Sequence, residues 1–169
     1  MTAYVALLRA VNVGGTGKLP MAELRAMAQN AGFAKVRTYI ASGNLVFESD
    51  LAEAKVKAAL EAALKAYAGK PVGVIVRTGW EMAAVLAANP FPDAPANRTV
   101  AIFLDDPPPA DLVAAVTGRA SEEIAPGRRE IYVHYPDGQG NSKLRIPAAR
   151  AGTARNLNTV ATLAGMAAG

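Results

Sequence analysis

The chain has no cysteine. That excludes disulfides, thiolate metal sites and cysteine nucleophiles, and it suits a reducing cytoplasm, where we expect the protein to reside. Histidine occurs once, at His134. A histidine-rich metal site is thereby excluded, and a Ser-His-Asp triad would rest on that one residue. We expect no metal and no cofactor. Aromatic residues make up only 6% of the 169 residues, and the expected third strand, Asn44-Leu45-Val46-Phe47, lacks the alternating aromatics on which an RNA-recognition motif stacks bases. Long apolar runs are missing too. The uncharged stretch over residues 1–8 stops at Arg9, too short for a signal-peptide core or a membrane span, so no membrane partner is expected.

What is present is ample apolar surface. Hydrophobic residues are 51% of the chain and charged residues 19%, which supports a packed core and argues against disorder. Lysine and arginine exceed the acidic residues by enough to give a formal charge of +4. The balance favours anionic partners, but the basic residues are spread along the chain without a block.

Periodicity predicts the elements. Residues 3–13 form a buried strand ending in Gly14-Gly15. Pro20 suits the first position of a helix whose face carries Met21, Leu24, Met27, Ala28 and Ala31, closed by Gly32. A strand over Val36 to Ile40, the tight turn Ser42-Gly43-Asn44 and a returning strand from Leu45 follow. Asp50 with Glu53 reads as a capping box before a second helix, and residues 72–77 as a fourth strand. This order, βαββαβ, is the ferredoxin-like split unit. Thr78 with Glu81 is a second capping box, and Trp80 reads as a packing residue at that helix start. Three prolines between Asn89 and Asn97 mark the best linker. The second half predicts a strand over 99–104, a helix over 110–117, a hairpin around Pro126-Gly127 and a final helix from Thr153 as N-cap to Met166. It thus repeats the first half with its last strand absent. The expected fold is α+β, two ferredoxin-like halves (1–78 and 79–169) with antiparallel sheets in one compact unit.

Four polar segments stand out, the first three bearing glycine: Arg9 to Lys18 with Asn12, Gly14 and Gly15; Thr38 to Asn44 with Tyr39, Ser42 and Gly43; Gly138 to Leu144 with Ser142 and Lys143; and Thr153 to Thr159 with Arg155 and Asn156. Backbone N–H groups beside lysine, arginine, asparagine and hydroxyls suit an anion or a polyol. In a ferredoxin-like sheet the first two segments fall at the same end, where the first helix also starts. Each has a structural alternative: glycines that only allow turns, an Asn44 that only tolerates positive φ, an Arg9 paired with Glu23 or Glu48. Walker and Rossmann fingerprints are absent. Asn12 stands where a P-loop needs its first glycine and Leu19 where it needs the metal-binding hydroxyl. Lys143 occupies the sixth position of the Gly138-x-Gly140 run.

The run Ala6-Leu-Leu-Arg-Ala-Val-Asn-Val-Gly-Gly15 with Thr38-Tyr-Ile-Ala-Ser-Gly-Asn-Leu-Val-Phe47, and the runs Asn89-Pro90-Phe91, Tyr135 to Leu144 and Thr153 to Thr159, resemble the bacterial family of unknown function DUF1697. The resemblance implies two ferredoxin-like subdomains and carries no activity, substrate or catalytic residue with it. Three function classes stand open: a protein binding a phosphate-bearing or other anionic ligand, such as a nucleotide or nucleic-acid backbone; an enzyme on such a ligand, drawing on Ser42, Tyr39, Lys143 or His134; or a non-catalytic interaction module. Oligomeric state is not legible.

Overall fold

The computed structural model of the protein describes residues 1–9 and 18–168. Asn12, Gly14 and Gly15, and the far end of the first expected strand, lie outside the described residues. The fold is mixed α/β, with two four-stranded antiparallel sheets. The first half runs β1 (Thr2–Leu8), α1 (Met21–Asn30), β2 (Ala34–Thr38), β3 (Asn44–Ser49), α2 (Glu53–Ala68), β4 (Val74–Thr78) and α3 (Gly79–Ala87). The second runs β5 (Thr99–Phe103), β6 (Glu123–Pro126), β7 (Glu130–His134), β8 (Thr153–Asn156) and α4 (Leu157–Ala168). Strand orders are β2-β3-β1-β4 and β6-β7-β5-β8, the ferredoxin-like order in both halves. Contacts divide the chain into two compact units, Met1–Met82 with Leu163–Gly169, and Ala83–Thr162. The division falls inside α3 and again inside α4.

In the first unit, Tyr4, Ala6 and Leu8 alternate onto the sheet face that α1 and α2 cover. Leu24 and Ala28 of α1 and Val56, Leu60 and Leu64 of α2 are buried there, spaced at helical intervals. The Phe33 ring stacks on Phe47 with centroids 4.5 Å apart. Each large apolar side chain so buried contributes about 1.5–3 kcal/mol. Alanine, leucine, lysine and glutamate, all strong helix formers, fill α2, and Gly69 ends it at φ +74° with its N–H on the Lys65 carbonyl. Pro20 precedes α1 as its cap residue rather than opening the helix, and Ala31 of the expected helical face is exposed. The expected Asp50 capping box does not form. Ala52 is the N-cap and makes no side-chain bond, while Asp50 sits 3.7 Å from the N-terminal amine.

The second unit corrects three expectations. Residues 153–156 are a strand, not the start of a helix: β8 lies along β5 with Arg155 opposite Ala101, filling the hydrogen-bonding edge that β5 would otherwise leave open. The last strand is therefore present. The cap of the final helix is Asn156, whose Oδ1 accepts the Thr159 N–H at 2.9 Å, rather than Thr153. Finally, residues 110–117 make turns instead of a helix. Leu112 and Ala115 bond back to Pro109 and Asp111, but Thr117 is drawn into a bridge with Arg145, at 3.0 and 2.8 Å, before a helix can propagate.

With β8 in place the two halves correspond at the ends of their last strands. Arg77-Thr78 ends β4 and Arg155-Asn156 ends β8, and each pair leads directly into a helix. Thr78 forms the expected capping box: its Oγ1 accepts the Glu81 N–H at 3.1 Å and its own N–H bonds Glu81 Oε1 at 2.9 Å. Both arginines are buried.

Candidate functional site

In the first unit the end of β1 is where the polar residues gather. Leu7 lies opposite Asn44, and the Leu8 N–H bonds the Gly43 carbonyl at 2.9 Å. The Arg9 N–H bonds Gly73 at 2.9 Å, which brings the start of β4 to the same end. Arg9 continues from there, its side chain lying so close over Gly73 that a Cβ there would meet Arg9 Cδ at 2.9 Å. Glu48 is not its partner: it stands opposite Ala3, at the far end of β1, and pairs with Lys35 at 3.2 Å. Lys18 is exposed shortly before α1 begins. Arg25 of α1 donates to Thr38 Oγ1 at 3.0 Å, next to Tyr39.

The turn itself is built by Asn44, which is fully buried. Its Nδ2 donates to the Tyr39 carbonyl and to Ser42 Oγ, both at 2.9 Å, and the Tyr39 N–H returns to the Asn44 carbonyl at 3.1 Å. Positive φ belongs to Gly43, at +89°, and to Ile40, at +50°, not to Asn44. For a β-branched residue this is a true outlier. Such strain costs about 1–3 kcal/mol and persists only where surrounding structure enforces it. Ile40 is nonetheless half exposed.

The second unit holds the other candidate residues in two different settings. Arg155 is 7% exposed, and it donates to Thr153 Oγ1 at 2.7 Å and to the Ala154 carbonyl at 2.9 Å. Burial pushes its pKa down to about 10. It is a strand residue, not a first-turn helix cation, and Asn156 serves as a cap. Sequence reading missed its counterpart, the fully buried Arg77, which donates to the Val76 carbonyl at 3.1 Å. The available signal was the arginine-plus-cap pair before each closing helix.

Ser142 and Lys143 instead line a hollow of about 160 Å³ walled by residues 118–122 and 135–143. Gly118, at φ +69°, lets the two walls approach: a Cβ there would lie 2.1 Å from the Lys143 carbonyl oxygen. Glu122 sits in this hollow, 6% exposed. It accepts hydrogen bonds from the Ser142 hydroxyl and, at 2.6 Å, from the Ala120 N–H. The Ser142 bond first, then the backbone bonds, hold its carboxyl below the usual carboxylate value. Asp137 Oδ2 accepts from Ser121 at 3.0 Å, and the Asp137 carbonyl from Asn141 Nδ2 at 3.0 Å. Tyr135 also lines the hollow, and burial, with the Glu122 charge second, raises its pKa.

His134 Nδ1 faces the Arg98 carbonyl at 3.3 Å and its ring lies 6.3 Å from Phe91. Trp80 does not pack as expected, being 74% exposed. Among the described residues no group of three or more histidine, aspartate or glutamate side chains is placed to hold a metal ion, and no helix is long and apolar enough to cross a membrane.

Comparison with known proteins agrees with this architecture. The solved structure of the conserved bacterial protein SP0830 from Streptococcus pneumoniae is similar to this chain at a TM-score of 0.79 and 25% identity, covering 98% of both chains. No curated protein matches the chain. A family model described as a protein of unknown function (DUF1697) matches residues 1–132, ending in β7 and short of the 138–144 and 153–159 segments. That match spans well over half of the sequence, and the chain belongs to the DUF1697 family.

Proposed function

We propose that the end of the first sheet at which β1 finishes binds a phosphate-bearing or other anionic ligand, a nucleotide or a nucleic-acid backbone being the natural candidates. The observation that carries this reading is the strained turn around Ile40, stapled by Asn44 and held against Leu8 next to Arg9. Arg9, Lys18 and Arg25 add positive charge on this side of the unit, and the positive end of the α1 dipole adds to it. Tyr39, Ser42 and Gly43 line the turn. Asn12, Gly14 and Gly15 lie outside the described residues and are assigned to the same ligand from the sequence alone. No chemistry is assigned to it.

Sodium pyrophosphate and a mixed-sequence oligonucleotide, each added at low salt, are the test. We expect the melting temperature to rise with at least one of them. Raising the salt weakens oligonucleotide binding steeply. Lys18→Ala lowers the affinity by about 1 kcal/mol or more. A melting temperature unmoved by either anion at low salt refutes the reading and hands the protein to the interaction-module class, for which the exposed indole of Trp80 is the starting point.

A further inference from the structure

We infer that the hollow of the second unit, between residues 118–122 and 135–143, binds a small polyhydroxylated molecule of monosaccharide size. The inference stands apart from the anion site proposed at the end of β1.

The key observation is the Tyr135 hydroxyl. The residue is 7% exposed and lines the hollow, yet among the described residues its hydroxyl has no hydrogen-bond partner. It also leaves no fully enclosed unsatisfied atom, since the described residues contain no such side-chain oxygen or nitrogen. The hydroxyl is therefore open to solvent. Tyr135 lines this hollow and also a second one beside Leu144 and Ile146, and of the two only the first holds Glu122, the charge that acts on the hydroxyl. A buried residue whose one polar atom is left open to a cavity has capacity for a ligand to satisfy. Around it, the ionised Glu122 accepts hydrogen bonds and its companion Ser142 is already oriented toward it. Asp137 adds a second carboxylate, and Asn141 and Lys143 add donors. The raised pKa of Tyr135 keeps its proton in place for donation.

Charge selects the ligand class. An anion would face the carboxylates of Glu122 and Asp137, and an ammonium would face Lys143. A hydroxyl both donates and accepts, so vicinal hydroxyls suit a wall that alternates carboxylate, phenol, hydroxyl and amine. Size selects within the class. A protein cavity of about 150 Å³ admits one six-membered benzene ring, so this hollow of about 160 Å³ takes the ring of one sugar with its outer hydroxyls left at the opening. It falls below the roughly 300–1,000 Å³ of sites for larger ligands.

The test is an amide-resolved NMR titration of the full chain with glucose, ribose and myo-inositol. At least one should give saturable shifts confined to residues 118–122 and 135–143. Tyr135→Phe should weaken that binding about tenfold while leaving the melting temperature unchanged, because it removes a hydroxyl with no internal partner. Glu122→Gln should weaken it at least as much, and Lys18→Ala, in the other unit, not at all. If Glu122→Gln fails to fold, Tyr135→Phe alone decides. Three results overturn the inference: no saturable shift with any of the three polyols, shifts insensitive to Tyr135→Phe, or tighter saturation of the same amides by methylammonium or inorganic phosphate.

Discussion

The two sheets have the same strand order and opposite coverings. In the first unit α1 and α2 make the crossovers, and their apolar stripes close one sheet face. In the second, residues 104–122 and 135–152 make the corresponding connections with turns and short 3-10 segments, and single side chains such as Leu112, Leu144 and Ile146 do the covering. A helix satisfies its own backbone, so it can present a continuous apolar face. A turn-rich connection must find partners for its polar groups elsewhere, as Thr117 does with Arg145 and Glu122 with Ser142. The same topology thus gives a sealed face in one unit and, in the other, a face with a polar hollow.

Truncating one covering side chain in each unit gives the largest expected effect. Leu60→Ala should destabilise the protein by about 2–5 kcal/mol, because the α2 backbone cannot move in to fill the void. Leu112, also buried, sits on a turn that can relax, so Leu112→Ala should cost about half as much. Urea melts of both variants check this. Equal losses would show the turn covering to be as rigid as the helix, and the contrast between the units would then be one of shape only.

This contrast also explains what could be read from the chain beforehand. The elements of the first unit were legible because Leu24, Ala28, Val56, Leu60 and Leu64 keep a helical period. So was the meeting of the β1 end with the Ser42–Asn44 turn, since topology alone requires it. The second unit was misread where local signals compete with pairing. Thr153 is a good helix cap by type, but the open edge of β5 claims residues 153–156 as a strand. Residues 110–117 are alanine- and valine-rich, but the Thr117–Arg145 bridge, a contact between residues far apart in the chain, interrupts them. Neither competitor leaves a local mark. The hollow escaped notice for the same reason: Glu122 and Tyr135 gain their meaning only when Gly118 lets the two connections meet.

Gly118→Ala tests that meeting directly and ranks next in size. Alanine in a left-handed conformation costs about 1–2 kcal/mol, and the Cβ would lie 2.1 Å from a backbone oxygen that cannot rotate away. With overpacking of about 1–3 kcal/mol added, a loss near 3 kcal/mol is expected. For a chain of this length each kcal/mol lowers the melting temperature by about 2–4 °C. Hydrogen exchange should accelerate at Thr117 and Arg145 before it does in β1 or β3. Uniform acceleration across both sheets would instead mean that the hollow walls and the first unit unfold together.

The smallest effect is the one tied most closely to the hollow. The Ser142 hydroxyl and the Ala120 N–H both donate to the ionised Glu122, and they hold its carboxyl below the ordinary value of 4.5. A carboxyl whose folded pKa is lowered contributes stability that is complete above its unfolded pKa and lost as pH falls through the folded one. The wild-type protein should therefore lose more stability as the pH falls through and below the ordinary carboxylate range than Glu122→Gln, which has no proton to take up there. At neutral pH the variant is the less stable, and the two urea-melt profiles converge as the medium is acidified. Carboxylates in the helix-covered unit supply a control. Glu61 accepts the Val74 N–H at 3.2 Å at the sheet edge, outside the apolar face that α2 seals. Glu61→Gln should leave the acid limb attributed to Glu122 in place. Parallel profiles for wild type and Glu122→Gln would show that the hollow is as indifferent to charge as the sealed face, and the contrast between the two coverings would lose its electrostatic half.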